Sequence, residues 1–237
     1  MFFHHYHNFI NHSNNSSSSA IFWGAFAGAF FAFAFGLITY VVTKRRERFV
    51  QHKNSLVKLE RILNKHLNDI GVFHTVVMDM SNTFAHQKVA SSRLFPIELP
   101  KDLDMEIGSV DLINKLLTYQ VTLDRLNFNS STLNHAITRV EDLFINSQSV
   151  PAQNFSFITQ MLNGFLDSVP KINEMTKKFL VIVRIHLSKV NRRNSFTYGV
   201  FNPVWDHNIS EEEIKSESEK LDQEITKIMK KDFDKDF

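Results

Sequence analysis

The chain has 237 residues, a net charge of +2 and no cysteine. Near-balanced charge gives no general reason to expect nucleic acid as a partner. Without cysteine there is no disulfide framework, thiolate metal site or cysteine nucleophile. The length suits a membrane segment followed by one soluble domain of ordinary size.

Residues 1–19 are rich in His, Asn and Ser and are expected to form a short, disordered tail. His4, His5, His7 and His12 offer imidazoles, but a disordered tail would not preorganise them, so no metal or other cofactor is expected. Residues 20–43 hold the one long apolar run, enough to cross a bilayer core of ~30 Å at ~1.5 Å per helical residue. No Asp, Glu, Lys or Arg occurs before Lys44, and Lys44, Arg45, Arg46 and Arg48 follow at once. The positive-inside rule then predicts a single-pass membrane protein with the N-terminus outside and the C-terminal domain cytoplasmic. A cleaved signal peptide would want a basic leading region and a shorter apolar core. Within the run, Gly24, Gly28, Ala32 and Gly36 fall four apart on one ridge, a face that would let a second copy approach closely and form a homodimer in the membrane.

Past the basic cluster, Phe49, Leu56, Leu63, Ile70, Val77 and Phe84 recur every seven residues. Three residues on from each lie His52, Leu59, His66, Phe73, Met80 and Gln87, giving the 3–4 spacing of a helix with one packing seam. No proline interrupts residues 44–95, so one helix is expected across them, with Gly71 as its weak point. His52 and His66 occupy seam positions, where a polar residue more often fixes register than binds a ligand.

After Pro96 and Pro100 a second seam runs through Leu112, Tyr119, Leu126, Leu133 and Val140, beside Leu116, Leu123, Ser130, Ile137 and Phe144. Ser109 is placed to cap it. The polar cluster 127–131 resembles a loop in composition, yet the seam keeps its phase across it, which predicts one helix. A third segment, from Pro151 to Val190, carries Ile158, Leu162, Phe165, Val169, Ile172, Phe179 and Val183 in helical phase, with Pro170 expected to kink or restart it. The β-branched stretch 179–187 could instead be a strand, but no partner strand is evident. Residues 191–209 are expected to be a loop. Ser210 and Glu213 form a capping box for a final amphipathic helix in 210–237, whose apolar stripe is Ile214, Leu221, Ile225 and Ile228.

The resulting expectation is an all-α chain: a single N-terminal transmembrane helix, then an elongated antiparallel helical bundle with coiled-coil-like seams in residues 44–190. An intramolecular bundle is favoured over an intermolecular coiled coil because three further apolar faces need covering. Catalytic patterns are missing: there is no GxGxxG, P-loop, HExxH or GxSxG. Asp102, Asp104 and Glu106 begin like a calcium loop, but Ile107 and Ile113 stand where its glycine and glutamate are required. The expected function is therefore a non-enzymatic membrane-anchored interaction or scaffold protein, with the lipid bilayer, a second copy and an unidentified protein as partners and no nucleic acid. The alternative is a transmembrane signal transducer that relays a packing change inward.

Overall fold

A computed structural model describes residues 3–86, 92–100, 107–146, 149–192 and 208–233, with side chains described from 19 to 227 within those ranges. The described residues form four helices and no strand: α1 (Phe3–Ala85), α2 (Val110–Ile145), α3 (Ala152–Arg192) and α4 (Glu211–Phe233). The chain divides at Phe49 and Val50 into two compact units, and α1 contributes to both.

The first unit holds the apolar part of α1. This stretch is long and apolar enough to cross a membrane, and none of it is buried within the chain. The backbone is helical from Phe3, so the tail that composition suggested to be disordered is part of α1. Its side chains, including the four histidines, lie outside those described.

In the second unit, the seam positions of α1 from Leu56 to Phe84 are all buried, as are Leu59, Phe73 and Met80 of the adjoining row. Leu112, Tyr119, Leu126, Leu133 and Val140 of α2 are buried too. Phe144, which ends the companion row, is about half exposed. Every apolar position predicted for α3 is buried, and the helix continues through Pro170 without a break. Stretch 179–187 is helix, not strand. α2 is likewise unbroken across 127–131, with Ser109 accepting from the Leu112 N–H at 3.3 Å. At α4 the Ser210 hydroxyl accepts from the Glu213 N–H at 3.2 Å while the Glu213 carboxylate accepts from the Ser210 N–H at 3.0 Å. Lys189 of α3 donates to the same carboxylate at 2.8 Å. That bond first, and the Ser210 N–H second, hold the Glu213 carboxyl below its ordinary value. Lys177 and Asp222 form a second α3–α4 ion pair.

Two further sequence expectations need correction. The first helix stops at Ala85 instead of reaching Phe95, and residues 92–100 have no regular secondary structure. The other concerns direction. His52 is bonded near the start of α2, through Gly108, and His66 meets Tyr119 further along, so α1 and α2 run in the same direction. α3 runs against both: Phe155 lies by Phe84 and Phe144, Phe165 by Phe73, Phe179 by Tyr119, and Arg184 by Glu60. Short connections force antiparallel neighbours, but about 24 residues separate α1 from α2, and at ~3.3 Å each they can travel back along a helix. The proline-marked segment is therefore a return strap, not a short loop between antiparallel helices.

Candidate functional site

The side chains singled out from sequence fall into three groups. Gly24, Gly28, Ala32 and Gly36 are exposed on α1, and a Cβ added at any of the three glycines would meet no atom within 4 Å. Nothing in the chain's own described packing requires small residues there. Lys44, Arg45, Arg46 and Arg48 are exposed, and Lys44 pairs with Glu47 at 3.3 Å. The seam Phe49, Leu56, Leu63, Ile70, Val77 and Phe84 is buried. Asp102, Asp104 and Glu106 lie outside the described residues, as does most of the 191–209 loop. No cluster of three or more metal-ligating side chains occurs among the described residues.

Polar groups inside the second unit link its helices. His66 of α1 places Nδ1 3.0 Å from the Tyr119 hydroxyl of α2, and Thr176 Oγ1 of α3 lies 3.3 Å from the same hydroxyl. All three residues are buried. Burial pushes the Tyr119 hydroxyl up to about 12, so it remains a neutral hydrogen-bonding group. Burial also lowers the His66 ring from its ordinary 6.5, a stronger influence than the Glu98 backbone and Asp69, which favour the charged ring; Lys65 adds to the lowering. The sign for stability follows. Below pH 6.5 the unfolded chain takes up a proton that the native ring resists, so stability falls as pH drops through that value. Thermal melts of the full chain in detergent should therefore lose midpoint between pH 7.5 and 5.5 (~1 unit either side of the ring's ordinary value). His66→Gln should lose less over the same interval. An equal loss in the variant would remove His66 as a source of the acid sensitivity.

The strap is held by a device that periodicity analysis missed. Asn134 accepts from the Leu94 N–H at 3.0 Å and donates to the Leu94 carbonyl at 2.8 Å. Asn127 does the same to Ile97, at 2.9 Å and 3.0 Å. Each carboxamide thus completes both hydrogen bonds of one extended residue, as a neighbouring strand would. The spacing matches: seven helical residues rise about 10.5 Å, and three extended residues span about 10 Å. Arg93 continues the contact with Glu141, seven residues beyond Asn134, and with Thr138. Leu94 and Ile97 can then bury their side chains without stranding their backbone polar groups. The available signal was Asn127, Asn134 and Glu141, a polar row with the same interval of seven as the apolar one.

Two of the clefts among the described residues lie on the second unit. One, of about 840 Å³, lies between the end of α1 and the start of α3 and is lined by Phe84, Ala85, Val150, Phe155, Ser156, Thr159, Gln160 and Asn163, among others. Its described lining carries no titratable side chain. The other, of about 510 Å³, is charged: Arg184 bonds Glu60 at 3.0 Å and Glu224 at 2.8 Å, with Glu217 and Arg192 beside them. Glu60 and Glu224 are occupied in tying α1 and α4 to α3, while Glu217 pairs with Lys220 on its own helix. No family model matches the chain, and neither curated proteins nor solved structures give a match.

Proposed function

We propose that the chain is a single-pass, membrane-anchored helical scaffold that works by positioning and binding proteins and has no catalytic chemistry of its own. The single observation behind this reading is the contrast within α1. None of its apolar segment is buried, so its chemistry calls for lipid, while the seam that follows is buried against the chain's own helices. On this reading the second unit is a helical bundle closed within one chain, its seams packed in the manner of a coiled coil. The basic residues Lys44, Arg45, Arg46 and Arg48 keep that bundle cytoplasmic and the N-terminus outside. The Gly24, Gly28, Ala32, Gly36 ridge supplies a membrane homodimer face, and an outer face of the bundle takes a protein partner.

The expected result is that the chain stays with membranes through carbonate extraction and that protease added to intact cells spares the bundle. Release by carbonate would defeat the anchor. Digestion from outside would reverse the orientation.

A signal transducer is the second reading, favoured by one observation: the apolar segment and the seam belong to the same helix, α1. A packing change in the first could shift the second. Gly28→Ile separates the two readings. In a transducer it should alter hydrogen exchange around Leu56 and Leu63, and in a static scaffold it should leave that exchange unchanged.

A further inference from the structure

The outer face of α2 is apolar over its first half. Val110, Ile113, Leu117, Val121 and Phe128 recur at intervals that, at about 100° per residue, line one stripe, with Val110 and Phe128 at the same azimuth. Tyr119 and Ile137, on the opposite side, belong to the core. Phe128 is 71% exposed, Val121 64%, Val110 61% and Leu117 54%. A contiguous run of this kind differs from the isolated apolar residues common on protein surfaces.

The charges beside the stripe indicate what covers it. Asp124 lies about 40° to one side of the stripe axis and Arg125 about 60° to the other. Asp142 returns to the azimuth of Asp124 about five turns on, with Arg139 again across the axis. All four are exposed, and none is in an ion pair among the described residues. When two identical helices pack in the same direction about a twofold axis, a residue on one side of the contact line meets the residue on the other side of its partner, as g meets e′ in a parallel coiled coil. Asp124 then faces Arg125 of the second copy, twice by symmetry. Antiparallel packing brings like sides together and loses these pairs.

We infer that the exposed face of α2 over residues 110–128 is a self-docking surface on which a second copy of the chain seats its own α2 in parallel. The shared direction rests on the anchored reading above, because chains inserted through the same segment face the same way. The contact is separate from the membrane ridge: it lies on another helix, and its specificity comes from charge.

The chain has no cysteine, so single-cysteine variants of the full chain in liposomes report proximity directly. Parallel pairing sets Val121 of the two copies face to face. Val121→Cys is expected to give a disulfide dimer on mild oxidation, whereas Lys171→Cys, exposed on α3, stays monomeric. Adding Asp124→Arg to Val121→Cys should cut the dimer about fivefold, by replacing each attraction with a repulsion. Adding Arg125→Asp as well should restore it. These positions are exposed, so helicity by circular dichroism should stay constant across the set. Crosslinking of Val121→Cys no greater than that of Lys171→Cys overturns the inference, and so does a double swap as weak as the single one. Protection of Cys at 121 by lipid without a crosslink would assign the face to the bilayer and also overturn it. Carbonate extraction of the same liposomes reports the anchor separately. A retained chain that fails to crosslink defeats only the α2 contact, and a released chain that crosslinks with full charge-swap behaviour defeats only the anchor.

Discussion

Replacing Asn127 and Asn134 together with alanine is expected to destabilise the chain by about 1–5 kcal/mol, one of the largest effects available from two substitutions outside the apolar core. Four hydrogen bonds to the backbone of Leu94 and Ile97 disappear, each worth about 0.5–1.5 kcal/mol net. Alanine returns about 0.5 kcal/mol of helix propensity at each site, which does not offset the loss. The strap's backbone groups would then need water, and reaching it would draw Leu94 and Ile97 out of the core. Thermal or denaturant unfolding of the full chain in detergent gives the magnitude. Proteolysis near residues 92–100 should rise along with it. Asn134→Asp separates geometry from chemistry: a carboxylate can still accept from the Leu94 N–H but faces the Leu94 carbonyl with a second acceptor, so it should be nearly as harmful as alanine. A double alanine variant with an unchanged midpoint would mean that the strap contributes nothing to stability.

Phe73→Ala is expected to cost about 3–5 kcal/mol through lost burial and the cavity it leaves. Phe73 is fully buried and lies where three segments meet, its ring edge-on to Phe95 of the strap at 5.9 Å and to Phe165 of α3 at 5.6 Å. Phe73→Leu keeps much of the volume but loses both edge-to-face contacts, worth about 0.5–1.5 kcal/mol each at most. It should fall well short of the alanine variant. Leu63→Ala, one turn before His66, should cost about 2–5 kcal/mol by the same cavity argument without touching the strap. Combining Phe73→Ala with Asn134→Ala therefore tests coupling. Both act on the strap, so their joint effect should differ from the sum, whereas Leu63→Ala should add to Asn134→Ala more simply. Additivity throughout would show that the strap and the Phe73 cluster are independent.

Helix identity was legible in residues 49–84, 112–144 and 158–190 because burial on one side of a helix imposes its own period on the chain. Leu56, Leu63, Leu123, Ile137 and Ile158 could be chosen as core residues for that reason, and all are buried. The apolar segment of α1 was legible by the complementary rule, since a long apolar run without charge is what a spanning helix requires. The Ser210 and Glu213 cap could be read because both partners lie within one turn of sequence. Such features depend on neighbours at fixed short separations, and sequence order carries that information directly.

Direction and connection were not legible in the same way. Nothing in a row of seven-residue intervals distinguishes a parallel from an antiparallel neighbour, so the parallel course of α1 and α2 emerged only when His52 met Gly108 and His66 met Tyr119. Asn127 and Asn134 carried no local mark of their role because their partners lie 30 and 40 positions away. The outer stripe of α2 was hidden for a related reason. Val110, Leu117 and Phe128 are as apolar as Leu112 and Leu126; the row of seven put the second set on the buried side, and only the packing showed that no other helix covers the first. The amino-acid sequence by itself determined that this chain is helical, which apolar rows are buried, and that one segment is long and apolar enough for a bilayer, since each follows from local spacing and composition. Tertiary structure alone decided the parallel pairing, the asparagine-held strap and the exposed face of α2, because each depends on which distant residues meet once the backbone has been satisfied.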